Sequence, residues 1–230
     1  MKRDFSDVAK LEESLRRRFR VVDTTVRVGR HALSILHPAS AEDLIDEREF
    51  ERDERLPYWA ELWPSSRVLA GIVGGLGGRG QSALELGCGA GLVSCCAARA
   101  GFDVVASDYY DDALRFSRVN AARNGRPLRD GLLLDWRHPP AKLDRFDLVF
   151  ASDVLYERPY GALVARIIAS TLRPAGRALV ADPGRVARDE FFESLPALGL
   201  TLHAQTDHPF TEDKVRQTIS VLEIRWAPDL

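Results

Sequence analysis

The chain has 230 residues, 45% of them hydrophobic and 29% charged, with a formal net charge of −2. That is enough for one domain with a buried core, and the balance gives no support to nucleic-acid binding, which needs a basic face. No apolar run suits a signal peptide or a membrane span, and Cys88, Cys95 and Cys96 fit no zinc or redox spacing, so reduced thiols, no metal and a cytoplasmic location are expected.

Phe5, Val8, Leu11, Leu15 and Phe19 fall at helical spacing, which predicts an amphipathic helix over 5–20 with a solvated, arginine-rich end. Stretches 21–28 and 32–36 alternate, are β-branched and flank Gly29, so they read as a hairpin. Residues 40–56 are rich in Asp, Glu and Arg and read as a polar surface segment. His31 and His37 have no third ligand nearby for a metal. Together, residues 1–55 read as an N-terminal helix and hairpin extension, a candidate wall for an acceptor pocket. Residues 56–230 read as the main domain.

That domain opens with Tyr58-Trp59-Ala60-Glu61-Leu62-Trp63-Pro64, leading into a helix over 65–76 with Pro64 at its first turn. Three aromatics in six residues read as a cap over a ligand. From residue 83 strands and helices alternate. Strands are expected at 83–86, 102–107, 132–134, 146–151 and 177–181, and helices at 91–100, 110–124, 160–172 and 187–198. Such a rhythm means βαβ units and a mostly parallel sheet with helices on both faces. The stretches 200–205 and 217–226 have no helix between them and read as an antiparallel pair at one edge.

Ligands of open parallel sheets bind beyond the carboxyl ends of the strands. The first such end is Glu85-Leu86-Gly87-Cys88-Gly89-Ala90-Gly91, a turn where glycines permit positive φ or close approach of a ligand. Asp108, 21 positions after Gly87, stands where an acid can bond the ribose hydroxyls of a nucleoside, with Tyr109 beside it. Asp135-Trp136 offers an acid and a flat ring for an adenine. Ser152-Asp153-Val154-Leu155-Tyr156 ends the fourth strand. A dinucleotide and S-adenosylmethionine both fit this outline. Leu92 stands where a dinucleotide fingerprint wants glycine, and Glu85 suits a cationic amino acid moiety better than a pyrophosphate.

The glycine turn and Asp108 resemble the cofactor site of class I, seven-β-strand S-adenosylmethionine-dependent methyltransferases. With Tyr58-Trp59-Ala60-Glu61-Leu62-Trp63-Pro64 and Ala151-Ser152-Asp153-Val154-Leu155-Tyr156-Glu157, residues 56–226 resemble the protein lysine methyltransferase branch that carries an Asp-x-x-Tyr motif. Asp182-Pro183-Gly184-Arg185 is similar to members acting on the β subunit of electron-transfer flavoprotein. The resemblance implies an α/β, Rossmann-like seven-stranded sheet of order 3-2-1-4-5-7-6 with its last strand antiparallel. It also implies Trp63 on the cofactor, Gly87 and Gly89 at its methionine part, Asp108 at the ribose, Trp136 at the adenine and Ser152 lining the pocket, with Cys88 also among the cofactor-binding residues. The expected activity is N-methylation of a lysine on a protein substrate by a monomeric enzyme, with S-adenosylhomocysteine as product. Asp153 is expected to orient the amine and Tyr156 to shape its channel. A small-molecule, nicotinamide-like N-methyltransferase and a catalytically silent cofactor-binding protein are the alternatives.

Overall fold

The computed structural model describes residues 8–29, 31–44, 57–212 and 214–228. Phe5 and most of the polar segment 40–56 lie outside them. The apolar spacing of the first element closes as helix α1, Val8–Arg18. The antiparallel hairpin follows as β1 (Val21–Val28) and β2 (His31–Pro38). A turn of 3-10 helix, Tyr58–Ala60, precedes α2 (Pro64–Gly75), with its proline in the first turn, where a missing N–H costs nothing. The alternating part consists of β3 (Ser82–Leu86), α3 (Leu92–Arg99), β4 (Asp103–Asp108), α4 (Asp111–Arg123) and β5 (Asp130–Leu133). It continues with β6 (Phe146–Ser152), α5 (Tyr160–Thr171), β7 (Leu172–Asp182), α6 (Arg188–Ser194), β8 (Leu200–Glu212) and β9 (Val215–Trp226).

Strands β3 to β9 form one sheet in the order β5-β4-β3-β6-β7-β9-β8. Counted from β3 this is 3-2-1-4-5-7-6, the Rossmann-like order expected. All neighbours are parallel except β9, which runs antiparallel to both β7 and β8. The central strand β3 is buried at all five positions, as a strand covered on both faces must be. One face is covered by Leu69 and Val73 of α2 with Val93 and Ala97 of α3. The other is covered by Val164 and Ile168 of α5 with Phe191 of α6. Val26, Leu33 and Ile35 of the hairpin join the first layer. Leu15 of α1 and Leu36 of β2 pack on Phe116 and Val119 of α4. No helix of the described residues is long and apolar enough to cross a membrane.

Three elements differ from the sequence reading. β8 runs on to Glu212 rather than stopping at 205. It is the edge strand, the place in a sheet where a proline such as Pro209 is tolerated. α6 stops at Ser194 rather than 198, because Pro196 has no N–H to donate, and a 3-10 turn over Pro196–Leu198 completes the segment. β7 begins at Leu172, which pairs with Phe146 before an irregularity brings Arg177 opposite Leu148.

Candidate functional site

Beyond β3 the chain turns through Gly87, Gly89 and Gly91 at φ of 66, 51 and 82°, a region that glycine enters without steric cost. The neighbours of these glycines are partly internal. A Cβ at Gly89 would stand 2.8 Å from the Trp59 carbonyl, and one at Gly91 2.6 Å from Cα of Ser117 on α4. The sequence reading gave Gly87 and Gly89 to a ligand. The structure shows that Gly91 lets α3 and α4 meet, and that Gly89 also admits the aromatic segment. Only Gly87 is crowded by side chains alone, Val154 and the ring of Trp136. Asn120 of α4 locks the turn to the hairpin. Its amide nitrogen donates to the carbonyls of Ala90 and Leu36, and its oxygen accepts from the Leu36 N–H, each at 2.8 Å.

Two acids bracket the turn. Asp108, buried at the end of β4, accepts from the backbone N–H of Gly89 at 2.9 Å and of Tyr110 at 3.0 Å. Glu85 is 1% exposed. One of its oxygens accepts from the Ser94 N–H at 2.8 Å and from the Ser94 hydroxyl, within the first turn of α3. Burial pushes its carboxyl up to about 8, against the pull of the two Ser94 hydrogen bonds, and the Asp108 charge adds to the rise. Glu85 was expected to point its charge at a ligand. Instead the free N–H groups of the helix N-terminus have captured one of its oxygens, although the residue still borders the cavity. Burial likewise raises the Cys88 thiol well above its ordinary value, so it is an unreactive wall.

A cavity of about 1000 Å³, its open mouth included, stands over the turn. Every site candidate taken from the sequence borders it, from Trp63 through the glycine turn, Asp108, Tyr109, Asp135, Trp136 and Ser152 to Asp153 and Tyr156. Among the described residues none before Tyr58 does so, and the described helix and hairpin pack behind the cavity, on α2, α3 and α4. Five rings line it in a row: Trp63, Tyr58, Tyr156, Tyr160 and Trp136. Successive centroids are 6.0, 5.3, 5.1 and 5.6 Å apart, all edge to face, the favoured arrangement of aromatic quadrupoles. The capping segment is therefore divided. Trp59 also packs inward on Phe19 and Phe116, while Tyr58 and Trp63 join the row. The Trp63 indole N–H donates to the Tyr58 carbonyl at 2.9 Å. That of Trp136 is buried without an acceptor among the described residues. Burial raises the Tyr156 phenol far above its usual value, so it stays protonated. Asp135 bonds Arg137 and the His138 ring. Partial burial opposes its ionisation, but the Arg137 and His138 hydrogen bonds outweigh it and hold the carboxyl down at about 2.

Asp153 follows β6 at φ 58°, in the left-handed region that few side chains adopt. Its N–H donates to the Ala181 carbonyl at 2.9 Å. Its carboxylate is not the open acid that the sequence suggested. Ser65, in the first turn of α2, donates to one oxygen at 2.9 Å, and Nε of Arg185 donates to the other at 2.6 Å. The Asp153 side chain is 4% exposed and that of Arg185 35%. The guanidinium carbon lies 5.5 Å from the centre of the Trp63 ring. Asp182 holds the Arg185 backbone N–H at 3.2 Å and that of Gly184 at 2.8 Å. Arg185 was thus visible only as the end of a four-residue string, and Ser65 and Ser94 carried no signal. Tyr160, the first residue of α5, meets Tyr156 across the loop that leads into that helix, a contact no helical spacing in the sequence announces.

A family model described as a methyltransferase domain matches residues 78–220. The chain is 32% identical over 106 residues to a ubiquinone biosynthesis O-methyltransferase of Aeromonas salmonicida, covering 46% of this chain and 44% of that protein. It is 35% identical over 111 residues to a ribosomal protein L11 methyltransferase of Burkholderia vietnamiensis, covering 47% and 33%. The chain therefore spans less than half the length of these curated relatives. Among solved structures it is similar to the magnesium protoporphyrin IX methyltransferase of Synechocystis with bound S-adenosylmethionine. The TM-score is 0.55 at 17% identity, over 80% of this chain and 94% of that one.

Proposed function

The chain belongs to the methyltransferase-domain family and uses S-adenosylmethionine, and from that premise we propose that it methylates an amine nitrogen, foremost a lysine side chain of a protein. The observation that carries this reading is the row of five rings running past Asp153 along one cavity. Aromatic faces attract and desolvate an alkylamine, and a carboxylate accepts its N–H.

The cavity suits the cofactor. The orphaned Trp136 N–H at its wall is a donor left for a ligand. Asp108 places a carboxyl group at the end of β4 beside the glycine turn. When bound, S-adenosylmethionine supplies a methyl group on a sulfonium, open to in-line displacement. In this reading Gly87, Cys88 and Gly89 cradle its methionine part, Asp108 and Tyr109 meet the ribose, Asp135 and Trp136 the adenine, and Trp63 and Ser152 close the sides. Asp153 orients the acceptor nitrogen and Tyr156, held neutral by burial, shapes its channel. The acceptor must arrive unprotonated, and for a lysine of ordinary pKa near 10.4 that costs about 4.6 kcal/mol at pH 7. Desolvation among the rings lowers this cost, and fixed orientation can contribute roughly 7–11 kcal/mol to the rate.

Transfer of a labelled methyl group into the lysate of cells lacking this protein tests the reading. The expected result is a labelled protein whose modified residue, by mass spectrometry, is lysine. Asp153→Ala is expected to lose about 100-fold in turnover while still binding S-adenosylhomocysteine, and Tyr156→Phe about tenfold. Full turnover in Asp153→Ala removes the assigned role. A small-molecule acceptor is the second reading, favoured by the likeness to a ubiquinone biosynthesis O-methyltransferase; label confined to the small-molecule fraction would establish it.

A further inference from the structure

The pairing of Asp153 with Arg185 conflicts with a simple role for Asp153. A lone buried carboxylate favours the ammonium form of an approaching amine, which is the form that cannot accept a methyl group. Arg185 removes this conflict. Its Nε meets one Asp153 oxygen at 2.6 Å, Ser65 occupies the other, and the guanidinium is steadied over the Trp63 ring. Its backbone is fixed from below by the buried carboxylate of Asp182, 0% exposed, which also lies 3.8 Å from Nη1 of Arg188. The arginine is therefore held at Asp153 from two sides. A single Nε contact leaves the remaining lone pairs of the carboxylate able to accept a neutral N–H.

We propose that Arg185 is a positioning residue that acts through Asp153. As its standing counter-ion, it keeps the carboxylate an acceptor for a neutral amine and prevents it from capturing a cation. This rests on the amine reading for its use in catalysis, but its electrostatic content does not depend on any acceptor. The balanced pair makes the acceptor side of the cavity nearly indifferent to positive charge. Loss of either partner makes it selective, in opposite directions.

Two ligands read this out. S-adenosylhomocysteine lacks the transferable group, and sinefungin carries an ammonium in its place. Their affinities for each variant, measured by calorimetry, give a ratio in which general weakening of the site cancels. Arg185→Gln is expected to tighten sinefungin relative to S-adenosylhomocysteine by about tenfold, because the Asp153 charge is then unbalanced. Arg185→Lys, which retains the charge but not the planar fork, should move the ratio less than Arg185→Gln does. Asp153→Asn should shift the ratio the other way by a similar factor, since Arg185 then stands uncompensated, and it serves alone if Arg185→Gln does not fold. An unchanged ratio in Arg185→Gln, or in Asp153→Asn should that variant serve alone, overturns the inference. It would do so even where the native protein methylates lysine, so failure here is distinct from failure of the proposed activity.

Discussion

At the scale of single residues, Glu85 has the clearest consequence. Burial raises its carboxyl from 4.5 to about 8 in the folded protein, with Ser94 hydrogen bonds opposing the rise. Between those values the folded state keeps a proton that the unfolded state has lost. Folding stability therefore falls as pH rises through that window. Glu85→Gln keeps an oxygen for Ser94 and cannot ionise. Its melting temperature, measured against the native protein from pH 5 to pH 8, should improve steadily with pH; a difference flat in pH would contradict the assignment. Gly91 offers a steric test. Its φ of 82° and the Ser117 backbone beside it leave no room for a methyl group, so Gly91→Ala should cost about 2–4 kcal/mol in urea unfolding.

Between elements, the strongest link outside the apolar core is Asn120, which satisfies both polar groups of Leu36 and the carbonyl of Ala90. Asn120→Ala strands buried backbone groups and should cost about 2–3 kcal/mol, and it should also weaken S-adenosylhomocysteine binding because the glycine turn loses its anchor. The ion pair of Arg67 with Glu212 joins α2 to the end of β8, but its side chains are 22% and 46% exposed. Glu212→Ala should change stability by less than about 1 kcal/mol. The same contrast between buried and exposed explains what the sequence disclosed. β3, β4 and β6 are apolar runs closed by glycine or acid, so their ends, and the candidates on them, were legible. β8 pairs on one side and is exposed along most of its length, so burial wrote no alternation into it and its end was not legible. The Asp153–Arg185 contact spans 32 positions and joins the ends of two strands that become neighbours only once the sheet order is known.

The whole molecule depends on its first forty residues more than the division into extension and domain suggests. Leu15, Leu33, Ile35 and Leu36 are each at most 1% exposed, and they cover α2, α3 and α4. A chain beginning at residue 57 would expose those helix faces, and we expect it to lose cooperative thermal unfolding by circular dichroism. The aromatic lining has an optical consequence as well. Of the four tryptophans, Trp59, Trp63 and Trp136 border the cavity, while Trp226 lies apart, its indole N–H bound to the Arg173 carbonyl. Three of the four tryptophans therefore stand where a ligand in the cavity would alter their surroundings. The protein carries its own emission reporter, and titration with S-adenosylhomocysteine should change its tryptophan signal without any attached dye.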